Sequence, residues 1–575
     1  MNRNLFKAAR RTAPLRPACV AAAVLLLGAC ASQDDDASLP RLAAAQPASL
    51  SGACADLPAR LAVLPSTAIT AAATVPAGTL TVGGQAVAEH CQVTGRMHDR
   101  TSPVDGQAYA IRFELRLPRA WNGRFLHQGN GGIDGSVVPA TGGFGGGPVT
   151  NALMQGFAVL SSDAGHPAAM GPNFGIDPQA RLDYGYQAVA KLTPMAKQAI
   201  QLAYGKGPDR SYFGGCSNGG RHALVAAARY ADQYDGILAG APGYNLPKAA
   251  VANIFGAQRY ATVASNPADL STAFTAAERA RVAQAVLARC DALDGATDGI
   301  VQDTTACQAA FSLERDVPTC SGARDGSCLS AAQKSAIAPI FSGAVTRSGA
   351  PVYASFPYDA GLGAGGIAFW EFTAPLALDS GAVGLIFKVP PENPVGFNGP
   401  AFTLGADIDA LVAGINATNA TYTESAMSFM TPPNPTNLST LKNRGGKLIV
   451  YHGVSDAIFS VDDSQALFRG LDQANGGDAS NFARLYRVPG MGHCSGGPAT
   501  DQFDALSALV QWVEQGQAPD QITARARGAG NAGGVNADLP AGWAADRSRP
   551  LCPWPKVARY RGTGSLETAE SFSCQ

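Results

Sequence analysis

A chain of 575 residues is long enough to bury a large core and still carry a substantial inserted unit. With 15% charged and 46% hydrophobic residues, 66 Gly and 38 Pro, it reads as a loop-rich globular protein, which excludes intrinsic disorder and a coiled coil. Its 43 Lys and Arg stand against 44 Asp and Glu without a long run of either sign, so no basic face awaits phosphate and nucleic acid is excluded as a partner.

The first thirty residues hold Arg3, Lys7, Arg10, Arg11 and Arg16, then the apolar run Val20 to Leu27, which together read as a secretory signal over residues 1–30. The run is too short to span a bilayer. It ends in Leu27-Gly28-Ala29-Cys30, similar to the lipobox of bacterial lipoproteins, with Cys30 as the acylated residue and the only expected contact with a membrane. These residues contain five cations and no acids, so the chain without them has net charge −1 − 5 = −6. Residues 31–51, rich in Ala, Ser, Asp, Pro and Gln, read as a flexible tether. Of 12 cysteines, setting aside Cys19 and Cys30 leaves 12 − 2 = 10, an even number that suits a five-disulfide framework in an exported protein, periplasmic, outer-membrane or secreted.

The body begins near residue 52. Tyr109 to Leu117 alternates apolar residues with Arg112, Glu114 and Arg116, the pattern of an antiparallel edge strand with one wet face. Gly123 to His127, Phe157 to Ser161, Ser211 to Gly214 and Lys447 to Tyr451 are short continuous apolar runs, as expected for strands buried on both faces of a mainly parallel sheet. Helical patterns fall at Leu182 to Tyr204 and Gly220 to Tyr230. From about Gly243 to Asn443 this rhythm gives way to Asn, Pro, Gly and Thr-rich stretches around a helix-like segment, Thr275 to Arg289. The reading is an α/β sheet whose core, 52–242 and 444–575, is interrupted by an inserted lid domain, 243–443, and closes with a strand at Phe482 to Val488 and a helix at Asp501 to Glu514.

Gly215-Cys216-Ser217-Asn218-Gly219 matches the nucleophile elbow G-x-S-x-G, in which a strained strand-to-helix turn lifts the serine hydroxyl out of the sheet. Glycine is frequent enough here that chance supplies about one such match per chain, so the flanking strand and helix patterns decide. A serine needs a base, and the base needs a group that fixes its tautomer. His493, in a Gly-rich loop after Phe482 to Val488, and Asp456, just past Lys447 to Tyr451, complete the order Ser, Asp, His of α/β-hydrolases. Cys216 precedes Ser217 and Cys494 follows His493, and a contact between Ser and His would bring these cysteines within the roughly 4.4–6.8 Å between Cα atoms that a disulfide requires. For the oxyanion, the backbone N–H of Asn218 is one expected donor and Gly132, in Gln128-Gly129-Asn130-Gly131-Gly132, the other. In the lid, Asp291, Asp294 and Asp298 lie among glycines at a density of hard oxygen ligands that suits Ca²⁺, though not in EF-hand spacing, and Cys290 and Cys307 flank that loop. Cys320 with Cys328 and Cys552 with Cys574 are paired by proximity.

Tyr212 to Arg221, Tyr234 to Gly243, Cys290 to Val301, Tyr451 to Asp456 and Pro489 to Pro498 together resemble the tannase and feruloyl esterase family, over nearly all of the chain after its signal. The resemblance implies an α/β-hydrolase fold with a large inserted lid domain. It implies hydrolysis, through an acyl-enzyme, of small esters of aromatic acids such as mono(2-hydroxyethyl) terephthalate-like, feruloyl or galloyl esters. Ser217, Asp456 and His493 carry over as the triad, and Gly132 and Asn218 as the oxyanion hole. Asp291, Asp294 and Asp298 with the carbonyls of Ala296 and Ile300 carry over as structural Ca²⁺ ligands, and Phe459 and Trp370 as aromatic residues gripping the substrate ring. Five disulfides are implied, Cys54–Cys91, Cys216–Cys494, Cys290–Cys307, Cys320–Cys328 and Cys552–Cys574. Where some members hold a substrate carboxylate with a lid arginine, residues 371–393 have only Lys388 as a cation, a mobile point charge in place of a planar fork. A reading from another class keeps the scaffold without chemistry, as an envelope lipoprotein that binds a ligand, and predicts a broken triad.

Overall fold

The computed structural model describes residues 39–144 and 151–575. The signal, Cys19, the lipobox residue Cys30 and residues 31–38 of the expected tether lie outside the described residues.

Nine strands form the central sheet: β1 (Thr67–Val75), β2 (His90–Thr101), β3 (Ala108–Pro118), β4 (Arg124–Gly129), β5 (Ala158–Ser162), β6 (Arg210–Cys216), β7 (Gly236–Gly240), β8 (Lys447–Gly453) and β9 (Ala483–Val488). Their order across the sheet is β9-β8-β7-β6-β4-β5-β3-β2-β1. From β9 to β5 every neighbour is parallel, while β3, β2 and β1 add antiparallel. The parallel strands are buried along nearly their whole length, which is why they read as apolar runs without alternation. Helices between them cover the faces, among them α1 (Ala188–Tyr204) and α2 (Asn218–Arg229). This is the α/β-hydrolase fold.

Two expectations are corrected. The segment read as an edge strand with a wet face is β3, which lies between β2 and β5 and is covered on both sides. Its charges are tolerated inside because they are matched: Glu114 accepts from Arg116 Nε at 2.6 Å, Gln92 Nε2 at 2.6 Å and the Ala140 N–H at 2.8 Å, while Arg112 pairs with Asp163 at 3.0 Å. The tether reading fails from Leu39 onward. Ala48 and Ser49 pair with Trp121 and Ala120, the Ala45 N–H donates to Glu514 at 2.9 Å, and Arg210 Nε donates to the Ala43 carbonyl at 2.7 Å. Small residues lay the backbone close against the sheet margin, so its polar groups find partners despite a composition that suggests none.

Between β7 and β8 the chain makes a helical excursion that includes α3 (Leu246–Ala261) and α4 (Ala276–Cys290). Helix α4 starts on the capping box Thr275/Glu278, with Glu278 N donating to Thr275 Oγ1 at 3.3 Å and Thr275 N to Glu278 Oε2 at 2.8 Å. Residues 39–575 form one compact unit, so the excursion is a layer fused to the sheet and not a detached domain. One apolar cluster joins Phe174 and Tyr184 of the core, Val251 and Ile254 of α3, and Phe459 beyond β8. After β8 come α5 (Val461–Ala474) and α6 (Ala505–Gln515). All five expected disulfides are formed. Among the described residues no helix is long and apolar enough to cross a membrane.

Candidate active site

Strand β6 ends at Cys216, helix α2 begins at Asn218, and Ser217 makes the turn between them with φ +66° and ψ −127°. Few side chains adopt that backbone, and the cost is accepted where it aims a nucleophile. The flanking positions must be glycine: a Cβ on Gly215 would stand 2.5 Å, and one on Gly219 2.3 Å, from the Gly129 carbonyl oxygen. The Ser217 N–H donates to the Gly240 carbonyl at 3.0 Å, locking the elbow to the end of β7.

Asp456 and His493 come from the loops after β8 and β9. His493 Nδ1 is 2.7 Å from Asp456 Oδ2, so the acid holds the imidazole in the tautomer with a proton on Nδ1. Asp456 Oδ1 accepts the N–H groups of Ile458 and Phe459, each at 3.0 Å. Burial opposes its charge, but His493 and the His452 side chain outweigh burial and hold the carboxyl well below the usual range. His493 Nε2 is buried and has no hydrogen-bond partner among the described residues. Cys216 and Cys494, bonded with Cα atoms 6.1 Å apart, bring the elbow and the histidine loop together.

Gly131 and Gly132 lie beside the elbow: a Cβ on Gly131 would be 3.8 Å from Ser217 Cβ. Gly132, at φ +63°, would direct a Cβ into open space, and its N–H donates to nothing among the described residues. Trp370 and Phe459 bracket the base, their rings edge-on to His493 with centroids at 4.8 and 5.4 Å. Lys388 is ion-paired with Glu392 and packed on Gly414.

Sequence reasoning missed Asp359. This fully buried carboxylate, contributed by the excursion, accepts Ser455 Oγ–H at 2.6 Å and the Gly490 N–H at 2.7 Å. It thereby joins the loop that carries Asp456 to the loop that carries His493. Nothing in the sequence around Asp359 marks it, since its partners are about a hundred residues away. His452, inside the stretch Tyr451 to Asp456, has Nδ1 facing Ser464 Oγ at 2.8 Å and Nε2 facing the Phe459 carbonyl at 2.9 Å and Asp456 at 3.4 Å.

In the loop closed by Cys290–Cys307, Asp291 Oδ1 accepts the N–H of Asp298 at 3.0 Å, Asp294 Oδ1 that of Ala296 at 2.9 Å, and Asp298 Oδ1 that of Ile300 at 3.1 Å. Asp298 Oδ2 is ion-paired with Arg549. Asp294 Oδ2 is buried without a partner among the described residues, and burial together with the Asp298 and Asp291 charges pushes its carboxyl up to about 7. Among the described residues no group of three or more His, Cys, Asp or Glu side chains stands ready as a metal cage. The orphaned Asp294 oxygen within an all-oxygen donor set is nevertheless the chemistry that a hard cation satisfies.

The family model described as tannase and feruloyl esterase matches residues 91–575. The chain is 39% identical over 546 residues to the mono(2-hydroxyethyl) terephthalate hydrolase of Piscinibacter sakaiensis, covering 88% of each protein. It is 29% identical over 488 residues to a probable feruloyl esterase B-1 of Aspergillus fumigatus, covering 80% of this chain and 82% of that one. Its fold is similar to that of an esterase from Aspergillus oryzae, with a TM-score of 0.72 at 24% identity over 91% of this chain and 99% of the other. The chain belongs to the tannase and feruloyl esterase family, whose members are carboxylic ester hydrolases.

Proposed function

We propose that this chain hydrolyses small esters of aromatic carboxylic acids through an acyl-enzyme on Ser217. His493 takes the Ser217 proton and passes it to the leaving alcohol. It then takes a proton from the water that attacks the acyl-enzyme and returns it to Ser217 Oγ as the carboxylic acid leaves, while Asp456 steadies the imidazolium. The N–H groups of Gly132 and Asn218 receive the developing oxyanion. The observation that carries this reading is the 2.7 Å contact from Asp456 to His493 on a loop bridged to the elbow by Cys216–Cys494. Trp370 and Phe459, edge-on to His493, favour an aromatic acyl group. The names of relatives support terephthalate monoesters and feruloyl esters as the first candidates to test.

The test is kcat/KM across mono(2-hydroxyethyl) terephthalate, methyl ferulate and methyl gallate, with fluorophosphonate labelling and Ser217→Ala. We expect labelling of the parent protein alone and a kcat loss of about 10⁴-fold or more in Ser217→Ala. Full turnover by that variant would refute the mechanism.

A structural Ca²⁺ held by Asp291, Asp294, Asp298 and the carbonyls of Ala296 and Ile300 belongs to the same reading, supported by the unpartnered Asp294 oxygen. It would neutralise three crowded carboxylates and brace the loop. Chelation should lower the melting temperature and added CaCl₂ restore it; a melting temperature indifferent to both would remove the ion. Export is supported by the five disulfides, and acylation of Cys30 would show as incorporation of labelled palmitate.

A further inference from the structure

The turn that presents Gly132 belongs to no helix or strand, so its position must be set from outside. It is closed by the Asp134 N–H donating to the Gly131 carbonyl at 3.2 Å, with Gly132 and Asp134 both left-handed, at φ +63° and +57°. The Tyr184 hydroxyl donates to the Gly132 carbonyl at 3.3 Å and the His166 ring to the Ile133 carbonyl at 2.8 Å.

The Asp134 side chain, 2% exposed, points the other way, into helix α2. Its Oδ2 accepts Asn218 Nδ2 at 2.9 Å and His222 Nε2 at 2.8 Å, residues one helical turn apart. Asn218 Oδ1 in turn accepts Arg221 Nε at 2.7 Å. Arg221, fully buried, also donates to the carbonyls of Tyr184 at 3.0 Å and Gly185 at 2.8 Å, and to His222 Nδ1 at 3.2 Å. Burial keeps His222 neutral, so its one proton sits on Nε2, facing Asp134. Burial pushes the Asp134 carboxyl up to about 7, opposed by His166, the Arg221 guanidinium and the Asn218 amide.

One carboxylate oxygen therefore receives the side chain of the residue whose backbone N–H is one oxyanion donor, and belongs to the turn that bears the other. We propose that Asp134 is the positioning residue of the oxyanion hole, holding the N–H groups of Gly132 and Asn218 at a fixed separation through Asn218 and His222. The proposal rests on the reading of Ser217 given above. Donors aimed in advance at the developing charge act on the transition state and little on the bound ester, so loosening them lowers kcat more than it raises KM.

The test compares full-length Asp134→Asn and Ser217→Ala with the parent, using a 4-nitrophenyl benzoate for turnover and phenylboronic acid as the tetrahedral mimic. In Asp134→Asn the Asn218 and His222 donors meet either an N–H₂ group or an uncharged amide oxygen, a weaker acceptor than the carboxylate, and we expect kcat to fall about tenfold or more with KM changed by about twofold at most. Boronate affinity should fall by the same factor as kcat/KM. Should Asp134→Asn not fold, Asn218→Ala, which leaves the backbone N–H in place, is expected to give the same split. Parent-like kcat in the folded variant, or unchanged boronate affinity, would overturn the proposal while Ser217→Ala stays inactive. Activity in Ser217→Ala would overturn the underlying reading, and the proposal with it.

Discussion

Cys216 and Cys494, 6.1 Å apart at Cα, adjoin Ser217 and His493 and close a loop of 278 residues that contains the whole helical excursion. In the chain-entropy account such a loop is worth on the order of 5 kcal/mol, against about 2–3 kcal/mol for the eight-residue separation of Cys320 and Cys328. Cys216→Ala with Cys494→Ala should therefore lower the melting temperature more than the Cys320/Cys328 double variant, and should alone depress kcat. Scanning calorimetry and ester turnover check both. Equal effects from the two pairs would show that the bridge does not organise the site.

Asp456→Asn should reduce kcat by about 10⁴-fold while leaving the fold intact, because the amide favours the wrong imidazole tautomer. The sign of its pH dependence follows from a carboxyl held below its ordinary value in the folded protein. Its stabilising contribution is complete above the unfolded value of about 4 and is lost only as pH falls through the lower folded value. The stability deficit of the variant, read as a melting temperature, should accordingly be constant from pH 5 upward to within error, where about 5 marks complete ionisation of an ordinary carboxyl. A deficit that vanished at high pH would contradict the role.

Asp359→Ala leaves the Ser455 hydroxyl and the Gly490 N–H without their buried acceptor. Each unpaired group costs about 1–3 kcal/mol, and both sit on loops of the site. The expected outcome is a lower melting temperature together with a kcat loss that grows as temperature rises. Asp359→Asn, which keeps one acceptor oxygen, should recover part of both.

Asp379 in the excursion is buried with Asn253 Nδ2, 3.3 Å away, as its one side-chain hydrogen bond among the described residues, and burial pushes its carboxyl up to about 8. Folding thus favours the protonated acid. The stabilisation is full below about pH 4, the unfolded value, and is lost as pH rises through about 8. Asp379→Asn should flatten the dependence of melting temperature on pH across that window and be the more stable protein at its upper end. An unchanged pH dependence would place the titration elsewhere.

Four of the six parallel strands, β4, β5, β6 and β8, were legible because burial on both faces writes itself as unbroken apolar runs, and each lies within two residues of its expected place. Strand β7 was not delineated, since Gly-Ile-Leu-Ala-Gly is too short to carry a period. Strand β3 was misplaced because Glu114 and Arg116 look solvated in sequence and are in fact paired with each other indoors. At the site, Ser217, Asp456 and His493 announced themselves through local motifs in a known order. Asp359 and Asp134 did not, because what makes them useful is partners that only the tertiary fold brings near.

The segment from Leu39 to Ser49 runs past the ends where parallel strands begin: it meets Trp121 ahead of β4, Arg210 at the start of β6 and Gly445 ahead of β8. Ser217 and Asp456 follow the opposite ends of β6 and β8, and His493 that of β9, and the seven residues of β6 span about 20 Å. Leu39 to Ser49 thus takes up a margin of the sheet that the catalytic loops do not share, and the approach of an ester to Ser217 is left clear of it.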